Sequence, residues 1–144
     1  MACAVLVQLI LLSVVIVPPT GWRVWRIRDQ SALVRSARLS YGPEFADYVL
    51  FLRRIIPEDG LVVLPPSGVD VVFGNMGFMQ YFLFPRELTN CPEAVVWEEC
   101  LVNFRGGRTY LISVGGFPQS EELGLDERYI PFNGKWGVFV PADR

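Results

Sequence analysis

The sequence predicts a small three-layer α/β domain with a mostly parallel, Rossmann-like sheet, carried behind a single N-terminal transmembrane helix. Three observations lead there. From Ala2 to Val17 there is no charge, and only Gln8 and Ser13 are clearly polar. Farther on, short apolar runs alternate with amphipathic stretches, the pattern of right-handed βαβ units. What remains after the apolar segment and its flank is about 110 residues, enough for one domain and not two.

The apolar segment ends at Pro18 and Pro19, and Trp22, Arg23, Trp25, Arg26 and Arg28 follow at once. Aromatic and basic residues in that order form the collar of a membrane helix at the interface. A secretory signal peptide is the rival reading. It needs a basic residue ahead of the apolar run and an Ala-x-Ala pattern before the cleavage point, and neither is present. The expected organisation is therefore a transmembrane helix over 1–21, a juxtamembrane segment over 22–42 and a globular domain over 43–144.

Trp22 to Ser40 reads as a continuation of that helix or as a second, amphipathic one. Leu33, Val34 and Ala37 face one way, and Arg28, Arg35 and Arg38 another. Gly42 and Pro43 open a clearer helix, because Pro suits the first helical position. Glu44 and Asp47 lie in its first turn and Arg53 and Arg54 in its last, which complements the helix dipole. Phe45, Tyr48, Val49, Leu52 and Ile56 recur three and four apart as its apolar face, and Pro57 ends it. Leu61 to Leu64 is a short apolar strand of the buried, parallel kind. Val69 to Phe84 has a helical pattern weakened by Gly74 and Gly77, and Arg86 to Thr89 is the second strand. Asn90, Cys91, Pro92 and Glu93 read as the start of a helix that runs over 94–104. Thr109 to Val114 is the third strand. A polar loop through Arg128 leads to a last strand over Lys135 to Val140.

Composition excludes several chemistries. The chain has no His. A Ser-His-Asp triad, a Cys-His pair, an HExxH zinc site and His-ligated haem are all ruled out. Three Cys without close pairing make neither an iron–sulfur nor a structural zinc site. A net charge of −2 disfavours nucleic acid, which wants a basic face. Glu98-Glu99 and Glu121-Glu122 are adjacent, so on a helix each pair points apart and supplies no two-carboxylate cleft. No cofactor is expected.

The most distinctive string is Gln80-Tyr81-Phe82-Leu83-Phe84-Pro85-Arg86. It resembles a Tyr-Phe-Leu-Tyr-Pro-Arg type segment of small α/β domains in bacterial envelope membrane proteins, some of them associated with polytopic glycosyltransferase-like proteins. The resemblance implies an envelope location more than an activity. From the residues alone, Tyr81, Phe82 and Phe84 at helical spacing are core candidates, Pro85 a helix terminator, and Arg86 a donor to free carbonyls at that helix end.

In open α/β sheets a ligand binds beyond the carboxyl ends of the strands. That places candidate ligand-binding residues at Ser67, Gly68, Asp70, Asn90, Gly115 and Gly116. Neither the dinucleotide fingerprint nor Walker A is present. A site there is undone if Phe73 or Phe117 plugs it. Cys91 and Cys100 are candidates for a disulfide, with buried free thiols as the alternative. The arginines after the apolar segment favour a cytoplasmic domain, whereas the cysteine pair and the resemblance favour the outside, which is the expectation kept. The expected function is a non-catalytic single-pass membrane subunit. Its helix docks on larger polytopic membrane proteins in the bilayer and its domain braces that assembly, respiratory or photosynthetic. The alternative is a sugar- or nucleotide-related envelope module, binding or catalytic, at the strand ends.

Overall fold

The computed structural model describes residue 10 and residues 29–91, 108–115, 117 and 127–141. Among them are three helices, α1 (Ala32–Tyr41), α2 (Pro43–Ile55) and α3 (Met76–Leu83). The five strands are β1 (Leu61–Leu64), β2 (Glu87–Asn90), β3 (Thr109–Val114), β4 (Glu127–Pro131) and β5 (Trp136–Pro141). They form one sheet in the order β2-β1-β3-β5-β4.

The local rules account for the helices. The Ser31 hydroxyl accepts from Val34 N–H and caps α1. Gly42, at a φ of 91°, ends α1 and starts α2 in a conformation that favours glycine. Asn75 caps α3 by accepting from Phe78 N–H at 3.0 Å. The expected helix over Val69 to Phe84 is thus only half helical. Residues before Asn75 form turns held by the Asp70 carboxylate, a local hydrogen bond that competes with helix.

The expected mostly parallel, Rossmann-like arrangement is corrected to a mixed sheet. β1 runs parallel to β2 and β3, but β3–β5 and β5–β4 are antiparallel. The element that the apolar pattern does not announce is β4, which begins where a polar loop through Arg128 is expected. It pairs with β5 through the turn at Asn133 and Gly134, where Phe132 and Asn133 N–H both donate to Trp136 O. Asn133 Oδ1 accepts from Lys135 N–H at 2.8 Å and Trp136 N–H at 2.7 Å, fixing that turn.

Register puts Val62, Leu88, Tyr110, Ile112 and Val138 on one face of the sheet. All three helices share a single core with that face, through Val34 and Ala37 of α1, Phe45 and Leu52 of α2, and Phe82 of α3. The other face is buried as well, at Val63, Leu111 and Phe139. The helix expected over 94–104 lies outside the described residues.

The expectation of a single-pass membrane protein is also corrected. Among the described residues no helix is long and apolar enough to cross a membrane. The longest, α2, has 13 residues and carries Glu44, Asp47, Arg53 and Arg54. At 1.5 Å per residue it spans about 20 Å, short of a hydrocarbon core of about 30 Å. The membrane and single-pass assignment, and the extracytoplasmic side attached to it, are therefore dropped. The apolar segment over 1–21, except Ile10, and the collar residues Trp22, Arg23, Trp25, Arg26 and Arg28 lie outside the described residues.

Candidate functional site

The carboxyl ends of β1 and β2 meet at a loop, residues 65–75, that uses its polar groups on itself. Asp70 Oδ1 accepts from Val72 and Phe73 N–H, both at 2.9 Å. Asn90, the last residue of β2, donates its side-chain amide to Pro65 O at 3.3 Å and to Gly74 O. One amide thus ties both ends of the loop to the neighbouring strand. Gly74 is required by close approach: a Cβ there would lie 2.6 Å from Asp70 O and 2.6 Å from Ser67 Cα. Ser67 is exposed and itself partnered, and Gly68 sits beside it on the turn. Behind the loop Phe73 is 3% exposed. Its ring lies 5.5 Å from those of Phe45 and Tyr48 and 5.2 Å from that of Trp136. The expected ligand position is therefore floored by core aromatics.

The structure brings Ser67, Gly68, Asp70 and Asn90 to one end of the sheet, as the topology rule implies. Of that group the buried Asn90 Oδ1 has no hydrogen-bond partner. Gly115, at a φ of 63°, turns the chain so that Val114 and Phe117 exchange backbone hydrogen bonds at 2.9 and 3.0 Å. Gly116 lies outside the described residues. Cys91 follows Asn90, is buried and is disulfide-bonded. Its partner lies outside the described residues, as does Cys100. Among the described residues no group of three His, Cys, Asp or Glu could hold a metal ion.

Two further polar side chains are built into the core. Tyr48 donates its hydroxyl to Gly137 O at 2.6 Å, joining α2 to β5. Burial, and secondarily Tyr129, pushes its phenol well above the ordinary tyrosine range. Arg86 is 3% exposed. Its guanidinium donates to Ile56 O at 2.9 and 2.7 Å, to Arg53 O at 2.7 Å and to Leu83 O at 3.3 Å. It therefore satisfies carbonyls at the ends of both α2 and α3, one more helix than the sequence suggested. Arg53 reciprocates from α2, donating to Phe82 O and Phe84 O, both at 2.9 Å. Burial first, and the Arg53 charge second, lower the basicity of Arg86, while Glu58 opposes them.

These bonds hold α3 with Met79, Phe82 and Leu83 inward. The residues between them are left outside. Val71 is 80% exposed, Phe84 67% and Tyr81 56%, with Val69 and Met76 nearly half exposed. Tyr81 and Phe84 are thus surface residues and not the core residues expected from their spacing. The signal was in the phase. Positions 79, 82 and 83 already complete one helical stripe, and 81 and 84 fall opposite it, while Met76 is exposed at the helix start. Asp70 is the only charge between Val69 and Phe84, and its carboxylate is engaged by the loop. The outer side of this segment is therefore largely apolar.

No protein-family model matches this chain, and no curated protein or solved structure is similar to it.

Proposed function

We propose that this is a non-catalytic docking domain that holds a partner protein against the outer face of α3 and the loop before it. One observation carries the reading: five large apolar side chains, Val69, Val71, Met76, Tyr81 and Phe84, stand exposed on a segment whose one charge, Asp70, accepts from its own loop. Clustered exposed apolar residues on a small domain mark contact surfaces, and aromatics on such surfaces carry most of the binding energy. The alternative, a sugar- or nucleotide-binding module at the strand ends, has less support. Asp70 accepts from the loop's own N–H groups, Asn90 donates its amide to the loop's carbonyls, and Phe73 occupies the space behind it.

The test is a purification of the full chain from its native source in mild detergent, followed by native mass spectrometry. A Tyr81→Ser/Phe84→Ser double variant is compared with wild type. Wild type should arrive with a stoichiometric protein partner. The double variant should fold with an unchanged melting temperature and bind that partner at least about tenfold more weakly. A partner retained equally by both forms refutes the assignment of this face. A wild-type chain that arrives alone refutes the docking reading itself.

A further inference from the structure

A second surface lies on the opposite flank of α2 from α3. A groove of about 530 Å³ runs between α2 and the end of β4, lined by Asp47, Leu50, Phe51, Arg54, Pro131 and Phe132. Its floor is aromatic: the rings of Phe51 and Phe132 are 5.3 Å apart, and Phe132 also lies 5.2 Å from Tyr48. The Asn133 side chain donates to Glu44 Oε1 at 2.8 Å, which links the β4–β5 turn to α2. Leu50 stands exposed on its wall.

The two charges in the groove are not equivalent. Asp47 accepts from Arg38 at 2.9 Å, so its charge is partly answered. Arg54 is exposed and joins no ion pair among the described residues, unlike Arg38 and Arg108. Arg53 and Arg86 are spent on backbone carbonyls. Asp47 and Arg54 are seven residues apart on one helix, which separates them along the groove by about 10 Å. Leu50 and Phe51 sit one turn from Arg54, about 6 Å away on the same surface.

We infer that this groove binds an extended peptide segment of a protein partner, seating an aliphatic side chain on Leu50, Phe51 and Phe132 and the carboxylate of the adjoining residue on Arg54. Arg54 offers a planar fork of donors that matches a carboxylate. Asp47 repels a carboxylate at the other end, so the charge pair fixes the direction in which the segment lies. The inference stands independently of the α3 face, since no residue is shared between the two surfaces.

The experiment is a titration of the isotope-labelled full chain with N-acetyl-Leu-Asp-amide, read by backbone amide NMR. N-acetyl-Leu-Asn-amide and N-acetyl-Ala-Asp-amide are the controls. Saturable shifts at Leu50, Arg54 and Phe132 are expected with the Leu-Asp probe in the millimolar range. The Leu-Asn probe should bind about threefold more weakly, as an exposed ion pair allows. Arg54→Gln should abolish that difference, whereas Lys135→Gln should not. Absence of saturable shifts at those three residues overturns the groove as a binding site. Equal binding of the Leu-Asp and Leu-Asn probes, or of the Leu-Asp and Ala-Asp probes, overturns the assigned chemistry. Shifts confined to Val71, Tyr81 and Phe84 place the peptide on the α3 face and likewise overturn the inference.

Discussion

Removing the Arg86 guanidinium should unlock the seam between α2 and α3. In Arg86→Met the apolar stem is kept and every donor is lost. The Ile56 carbonyl, which takes two of those donors, is left without a buried partner; that of Leu83 keeps only the backbone N–H of residue 86, and that of Arg53, nearer the surface, turns to water. One unsatisfied buried carbonyl costs about 1–3 kcal/mol, and the weakened bonding at Leu83 O and Arg53 O adds about 1 kcal/mol each. Removing a desolvated cation that makes no ion pair among the described residues, with only the opposing charge of Glu58 nearby, returns part of this. The net loss is about 3 kcal/mol, a large share of the roughly 5–15 kcal/mol that holds a domain together. At about 4–8 °C per kcal/mol the melting temperature falls by about 12–24 °C. Arg86→Lys should lose about 2 kcal/mol, because one ammonium reaches the carbonyls of one helix but not both. Arg53→Gln is the comparison. Arg53 is only half-buried, and water replaces it on the carbonyls of Phe82 and Phe84, so the loss stays under about 1 kcal/mol. The assay is urea unfolding followed by tryptophan fluorescence, with an unchanged slope as the check that only stability has moved. The lowered basicity of Arg86 acts only in the guanidinium range, so the loss should be flat between about pH 5 and 9. A loss below about 1 kcal/mol in Arg86→Met, or equal losses in Arg86→Met and Arg53→Gln, would refute the seam as described.

Two other perturbations test the loop and the core. Gly74→Ala would push a Cβ into the backbone of Pro66, Ser67 and Asp70, and should cost about 2–4 kcal/mol by circular-dichroism melting. Gly77→Ala, in the first turns of α3 with nothing closer than 3.7 Å, should instead stabilise by up to about 1 kcal/mol. If both are neutral, the close packing of the loop on itself is wrong. Tyr48 has a folded-state acidity far weaker than that of a free phenol, so the unfolded chain loses its proton first as pH rises. The contribution is complete below about pH 10 and drains away above it as pH climbs toward the folded value. Tyr48→Phe should therefore cost about 1–2 kcal/mol at neutral pH, through the lost bond to Gly137 O, and should flatten the alkaline decline. An alkaline slope identical to wild type assigns that decline to other tyrosines.

Much of the secondary structure was written in local pattern. Leu61–Leu64 and Thr109–Val114 are strands with the bounds their apolar runs suggest, and α2 keeps the capping logic of Pro43 and the charge logic of Glu44 and Arg54. Pairing direction was not local. The alternation of helices and strands implies parallel neighbours only while each strand returns through a crossover, and the Asn133-Gly134 turn breaks that sequence by folding β4 and β5 into a hairpin. The polar strand Glu127–Pro131 escaped notice because an edge strand with Arg128 and Tyr129 exposed lacks an apolar run. Likewise Asp70 and Asn90 were placed at the right end of the sheet, yet residue type does not reveal whether an amide serves a ligand or its own loop. That depended on where Gly74 O and Pro65 O fall once the loop has closed.

The string Gln80 to Arg86 shows how one segment serves packing and presentation together. Gln80 donates to Arg86 O at 3.0 Å, and Arg86 in turn reaches Leu83 O and the end of α2, so the segment is closed on itself and anchored. Arg53 adds a second anchor at Phe82 O and Phe84 O. Every one of these bonds ends on a backbone carbonyl, and none uses the Tyr81 or Phe84 side chain. A core of this size would be served as well by polar residues at those two positions, because neither ring is buried. Aromatics exposed on a helix whose backbone is held from two sides have lost little freedom left to lose on binding. The rigid seam therefore presents two surface aromatics on a fixed backbone, which is what the proposed docking role requires.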